Sequence, residues 1–253
     1  MTDDLALEVQ HLTGPTGAPV LFDVSMSVPY GRTCVVLGPI HSGKTVLLRH
    51  IVGLEAGSSG TIVVDGEDFD ARGESEVVLR RMRTRLGVVF QGSALINRLT
   101  VLENVELPLL EHTSATAQEA REVARELLSA VGLQAAGAAI EETSCAHLDR
   151  AAQRRVALAR ALALRPAVLL LDEPTLGLDS HSAAELDHTL ERLQDTSGFS
   201  VVIFSHEVRH AFGRVDRIFV MVKGTMIESG TRETLQKSQH DMVRRLLNRR
   251  GAA

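Results

Sequence analysis

The sequence predicts an α/β fold: a parallel β-sheet core that carries an antiparallel β portion near the N-terminus and a helical insertion. Three observations predict it. Residues 33–38 (TCVVLG), 168–171 (VLLL) and 201–204 (VVIF) are short, continuous apolar runs, the pattern of strands buried on both faces. The stretch 182–193 between the last two has helical composition, and strand, helix, strand in that order implies a parallel sheet. Residues 5–12 and 24–28 instead alternate apolar and polar, as strands with one wet face do. TIVVDG at 61–66 reads as a further strand running into an Asp-Gly turn.

The helices follow from composition and punctuation. Residues 116–131 are rich in Ala, Glu, Arg and Leu, and Gly132 ends them. Thr116 and Glu119 have the spacing of a capping box at their start. Residues 150–164 form a second helix that Pro166 stops. These elements predict one domain over 1–253, with residues 1–91 and 151–253 forming the α/β core and residues 92–150 a helical subdomain. The chain shows no repeats, low-complexity tract or disordered linker.

Composition excludes several classes. The chain has 253 residues, 44% apolar and 23% charged, as soluble globular proteins do. Its formal net charge of −5 argues against a general nucleic-acid binder, which is usually basic. Cys34 and Cys145 have neither CxxC nor Cys/His spacing, so neither a disulfide framework nor a zinc site is expected, and a reducing cytoplasm suits them. The start, MTDDLALEVQ, is acidic and lacks the apolar run of a signal peptide. No stretch approaches the ~20 apolar residues that span a bilayer, so work at a membrane would need a spanning partner chain.

Two motifs carry chemistry. GPIHSGKT, from Gly38 through Pro39, Ile40, His41, Ser42, Gly43 and Lys44 to Thr45, matches G-x-x-x-x-G-K-[ST]. It follows a buried strand and precedes a helical stretch, which is the context that motif requires. Its glycines let successive N–H groups face phosphates at a helix N-terminus. Lys44 then reaches the β- and γ-phosphates of ATP, and the Thr45 hydroxyl ligates Mg²⁺. In LLLDEP, residues 169–174, a buried strand delivers Asp172 to its C-terminal edge, where open α/β sheets bind ligands. Asp172 is the expected Mg²⁺ partner, and Glu173 the general base that polarises the attacking water.

With these motifs in place the chain resembles the ATPase subunits of ABC transporters over nearly its whole length, which implies a P-loop, RecA-like core. Gln91 in VVFQGSAL matches the family's Q-loop glutamine, which implies contact with Mg²⁺ or water and sensing of the membrane partner. Asp179 in LGLD matches the loop that crosses the dimer interface. His206 in VVIFSHE matches the switch histidine, which implies a bond to the γ-phosphate. FQGSAL, ENVELPLLEHT, VLFDVSMSVPYG and the closing DMVRRLLNRR are similar to the ATPases of Mla/Mce-type lipid transporters. That resemblance implies a homodimer or heterodimer of ATPase subunits beneath integral-membrane permease subunits. It implies a cytoplasmic protein, peripheral on the inner face of the membrane, energising movement of phospholipid or sterol-like cargo. The segment 91–113 is then the expected docking surface for the permease.

The chain also departs from the family. Leu148 and residues 153–161 fit the signature region, but its Ser-Gly-Gly has become Asp149-Arg150-Ala151. In the family that loop closes over the γ-phosphate of the opposite subunit, the serine donating and the glycines permitting close approach. Asp149 also suits a helix N-cap, and both roles stand together. The family's adenine-stacking aromatic is missing between Leu12 and Val20, and Phe22 suits the following strand better. Two arginine clusters, Arg80, Arg81, Arg83 and Arg85 and then Arg244, Arg245, Arg249 and Arg250, suit a solvated helix face. Contact with anionic headgroups or the permease is their alternative. Cys34 is expected as a small buried hydrophobe and Cys145 as an incidental loop thiol.

Three functions are therefore in play: a transport ATPase for lipid or for another cargo, a non-catalytic nucleotide-binding or regulatory subunit with an altered signature, and an ABC protein acting on DNA or ribosomes. The last fits poorly, because the chain carries neither a second cassette nor a long coiled-coil insertion.

Overall fold

The computed structural model describes residues 4–15, 17, 20–133, 138–207 and 214–248. An antiparallel sheet in the order β2-β1-β4-β5 is built from β1 (Leu5–Gly14), β2 (Leu21–Pro29), β4 (Ser59–Val64) and β5 (Glu67–Asp70). The larger sheet contains β3 (Thr33–Leu37), β6 (Leu86–Val89), β7 (Val168–Asp172), β8 (Ser200–Ser205), β9 (Arg217–Val222) and β10 (Thr225–Gly230). Its order is β10-β9-β3-β8-β7-β6. All its neighbours are parallel except β10, which turns back against β9.

The unbroken apolar runs have a simple cause. Successive strand residues point to opposite faces, and both faces of the large sheet are covered. From β3, Cys34 and Val36 enter a core shared with the antiparallel sheet and with α1 (Lys44–Ile51). Val35 and Leu37 enter a second core beneath the helices. That core takes Leu102 and Val105 of α3 (Val101–His112), Leu128 of α4 (Ala117–Ala130), Val156 and Leu158 of α6 (Arg150–Leu162), and Leu186 and Leu190 of α7 (Ser180–Ser197). The helices after residue 100 thus share one core with the sheet, and α6 packs at once on α3, α4 and β6.

The capping box of α4 is present: Glu119 N donates to Thr116 Oγ1 at 3.3 Å and Thr116 N donates to Glu119 Oε2 at 2.7 Å. A second box, Thr100 with Glu103, starts α3, which continues through Pro108. Buried Asn104 ties the preceding loop to this helix by donating to the carbonyls of Ile96 and Thr100 at 3.1 and 2.9 Å. Two expected boundaries move. α6 ends at Leu162 rather than at residue 164. α7 is longer than its apolar pattern, because Asp179 caps its start and Gly198, at φ 72, ends it.

Two expectations are corrected. Cys145 is no loose thiol: it is fully buried in a single 3-10 turn, and Asn104 Nδ2 donates to its Sγ at 3.2 Å. Two of the first arginine cluster, Arg83 and Arg85, are structural rather than solvated, while Arg81 stays exposed. Arg85 bonds Asp65 and Glu67 at 2.5 and 2.6 Å. Arg81 pairs with Glu67 at 3.0 Å, and Arg83 donates to the carbonyls of Val52 and Gly53 at 3.1 and 2.9 Å. Arg80 is exposed. In α9 (Asp241–Asn248), Arg244 donates to Ser238 O at 2.6 Å and Arg245 is exposed, while Arg249 and Arg250 lie outside the described residues. Among the described residues no helix is long and apolar enough to cross a membrane.

Candidate functional site

The site begins where β3 stops. Gly38 has no room for a side chain: a Cβ there would lie 2.2 Å from Met221 O. Gly38 N donates to Ser205 O at 3.1 Å, pinning the loop to β8. His41 and Gly43 take left-handed backbone, φ 64 and φ 104, which curls the chain into the start of α1. The loop is also held from outside, since Gly224 N, in the β9–β10 turn, donates to Ser42 O at 2.8 Å. Gly224 O in turn accepts from Phe22 N at 2.9 Å, linking the loop to β2.

Lys44 opens α1 and is 6% exposed, with Nζ donating to Gly38 O and Pro39 O at 2.8 and 2.9 Å. Burial lowers its ammonium below the ordinary lysine range, and the nearby Glu173 and Asp172 carboxylates oppose that shift. Thr45 Oγ1 donates to Asp172 Oδ2 at 3.3 Å across the gap between α1 and β7. Burial also raises the Asp172 carboxyl above the usual range, against the pull of the Thr45 hydrogen bond. A hydroxyl and one carboxylate fit Mg²⁺, which keeps several waters and takes its remaining ligands from phosphate oxygens. Buried Ser42 Oγ, on the same cleft, has no hydrogen-bond partner among the described residues, as befits a cradle built for a polar guest.

Glu173 follows on left-handed backbone, φ 46, with its N–H donating to Phe204 O at 2.9 Å. That bend turns the carboxylate toward β8. There Ser205 Oγ donates to Oε2 at 3.1 Å, His206 N donates to Oε1 at 2.9 Å, and His206 Nδ1 lies 2.8 Å from Oε1. Ile40, His41, Lys44, Thr45, Gln91, Glu173 and His206 all line one cleft. Val20 forms part of its edge, and Phe22 sits in β2, about half exposed.

Gln91 reaches the cleft from the loop that follows β6. Two arginines of α6 hold it. Arg154 donates to Phe90 O at 2.7 Å and to Gln91 O. Arg160 donates to Ser93 O and Ala94 O at 3.1 and 2.8 Å. Ser93 and Ala94 are both left-handed, so these bonds brace a strained turn. Burial holds the Arg154 guanidinium below its ordinary range, with Asp172 partly offsetting the effect. Both arginines lie in the stretch 153–161 that fits the family's signature region, but their role is not readable there because their partners are backbone carbonyls.

The remaining motif residues lie away from the cleft. Asp149 caps α6, accepting from Ala152 N at 2.8 Å, and Ala151 is half-buried in the first turn. Arg150 folds back on the segment after β7, its Nη1 2.5 Å from where a Cβ on Gly177 would lie. With Gln91 and Arg154 it lines a separate hollow beside the cleft. Asp179 caps α7 by accepting from His181 N and Ser182 N at 3.0 and 2.9 Å, and its hydrogen bonds, the Ser182 hydroxyl's first, keep its carboxyl low.

A glycine-rich loop between a buried central strand and a helix, faced by a carboxylate at the end of a strand two places along the same sheet, defines a phosphate-loop nucleotide-binding protein. The family profile described as "ABC transporter" matches residues 21–176, and the chain belongs to that family as an ATP-binding subunit. It is 32% identical over 243 residues to the intermembrane phospholipid transport system ATP-binding protein MlaF of Escherichia coli, covering 96% of this chain and 88% of that one. It is 33% identical over 247 residues to the probable ribonucleotide transport ATP-binding protein mkl of Mycobacterium leprae, covering 97% and 70%. Among solved structures, a dimeric ATP-binding cassette in a post-hydrolysis state bound to ADP and Pi superposes with a TM-score of 0.78 at 28% identity, covering 89% of this chain and 98% of that one.

Proposed function

We propose that this protein binds and hydrolyses Mg-ATP to energise a transporter of lipid, working as a pair of ATPase subunits beneath a separate membrane permease. The observation that carries the catalytic part is convergence: Lys44 with Thr45, Gln91, Glu173 and His206 reach one cleft from four different segments of chain. In this reading the loop N–H groups and Lys44 bind the phosphate chain, and Thr45 and Asp172 would hold Mg²⁺. The metal supplies charge compensation for the phosphate oxygens when bound. Glu173 takes the proton of the attacking water, and His206, bonded to its Oε1, orients that carboxylate.

The lipid part rests on likeness to MlaF along nearly the whole chain, against a relative of similar identity named for ribonucleotide transport. A permease site is supported by a groove where Leu107 and Pro108 of α3 face β6 and Arg160 of α6. Arg160, which lines that groove, also donates to Ser93 O and Ala94 O of the loop that presents Gln91, and so offers a link from groove to cleft. A second reading, a nucleotide-binding subunit that does not hydrolyse, is favoured by Asp149 and Arg150 standing at the start of α6.

One assay separates the two. ATP turnover is measured for the original protein and for Glu173→Gln, with permease present. Hydrolysis by the original, and retention of ATP without turnover by the variant, is the expected result. Equal rates in both proteins reject Glu173 as base, and no turnover in either supports the second reading. Stimulation of turnover by phospholipid but not by ribonucleotides then tests the cargo.

A further inference from the structure

The phosphate loop contains one residue that its backbone does not favour. His41 stands at φ 64, in the left-handed region where glycine is free and a side chain brings strain. Histidine visits this region more often than most residues, but glycine would still fit better. Strained backbone tends to persist at ligand-binding positions, where the side chain has a use.

The His41 ring has not been buried in compensation. It is exposed and lines the same cleft as Ile40, Lys44, Glu173 and His206. Among the described residues no hydrogen bond or ion pair engages it. The neighbouring charges do have partners: Lys44 lies on two carbonyls, and Glu173 on Ser205 and His206. Adjacent Ser42 is 3% exposed, and its unpartnered Oγ lies on the same cleft. Two consecutive residues thus bring unused polar groups to one place. An imidazole supplies one N–H in either neutral tautomer, and two with a positive charge when protonated.

We propose that His41 is a substrate-contacting residue whose ring N–H donates to the phosphate chain of the bound nucleotide. The inference rests on the ATP-binding reading of the cleft. It adds a side-chain donor to a loop that otherwise works through its backbone and Lys44.

Calorimetry with Mg-ATP and with tripolyphosphate, which has neither base nor sugar, tests it on the original protein, His41→Gly and Lys44→Ala. Glycine relieves the left-handed strain, so that variant folds and its melting temperature is unchanged or higher. The expected result is about tenfold weaker binding of both ligands by His41→Gly, the scale of one hydrogen bond to a charged group. Unchanged affinity for both ligands overturns the proposal. Weaker binding of ATP alone also overturns it, because the ring would then face the base or sugar. Lys44→Ala isolates the underlying reading: if it binds ATP as the original does, the site itself is misassigned. If it fails to bind while His41→Gly binds normally, only the role of His41 falls.

Discussion

Replacing Arg154 with methionine removes the strongest connection between α6 and the loop that presents Gln91. The guanidinium makes two hydrogen bonds to consecutive carbonyls, those of Phe90 and Gln91, from a residue only 6% exposed. Hydrogen bonds to a charged group are worth about 1.5–3 kcal/mol each, so the gross loss is about 3–6 kcal/mol. Two effects oppose it. Burying a guanidinium costs several kcal/mol of hydration, which the variant recovers. Gln91 stands on an open cleft, so water can reach its carbonyl in the variant. Methionine also keeps an unbranched apolar stem against Leu158 and Leu186, which line the same pocket as Arg154. The expected net loss is about 2 kcal/mol, or about 4–8 °C of melting temperature for a chain of this size. Thermal unfolding of ligand-free protein measures it, and turnover at saturating ATP should fall as well because Gln91 is no longer held. A melting temperature within about 1 °C of the original would refute the reasoning, showing the carbonyls to be as well served by water as by Arg154.

Restoring the signature, Asp149→Ser with Arg150→Gly and Ala151→Gly, should raise turnover with permease present. A carboxylate ~4 Å from a phosphate oxygen costs ~4 kcal/mol at an effective dielectric of 20, and if half survives, closure is disfavoured about thirtyfold; equal turnover in both proteins would leave Asp149 as a cap alone. Asp172→Asn should stabilise the ligand-free protein while weakening Mg-ATP binding. The folded-state pKa of Asp172 is raised by burial, so the folded form binds its proton more tightly than the unfolded chain. Its contribution is fully present below the unfolded carboxyl value and lost as pH rises through the folded one, so the gain from asparagine should appear at neutral pH and vanish in acid; a gain independent of pH argues against burial as its cause. Cys34, fully buried with its thiol pushed up to about 12, and Cys145, fully buried and also raised, should resist thiol reagents in the native protein. Rapid labelling of folded protein at neutral pH would contradict that.

What the sequence made legible were features with a local cause. The strands around TCVVLG and LLLDEP read as buried because every residue of β3 and β7 is buried. The α4 cap read correctly because a capping box is complete within four residues. Elements whose cause lies elsewhere in the chain did not show. β5 is EDFD, polar except for Phe69, and is a strand because it pairs with β4. α3 has a local capping box too, but the proline inside it masks a helix that burial of Leu102 and Val105 against the rest of the core holds together. The site divides in the same way. Residues of the phosphate loop and of LLLDEP could be named in advance, whereas Arg154, Arg160 and the Gly224 turn act through backbone carbonyls and amides that no side-chain pattern reveals.

The stretch matched by the family profile ends at residue 176, yet β3 lies between β8 and β9, both of which come later in the chain. A fragment ending there would leave the central strand with two open edges. It would also lack Ser205 O for Gly38 N and Gly224 N for Ser42 O. During synthesis, therefore, the N-terminal part does not hold every partner of its phosphate cradle. The fully braced cradle waits until Gly224 has left the ribosome, roughly 180 residues after Thr45, which at ordinary elongation rates is roughly 9–36 s. Throughout that interval the loop lacks both braces, and any nucleotide meets a cradle that is only partly held.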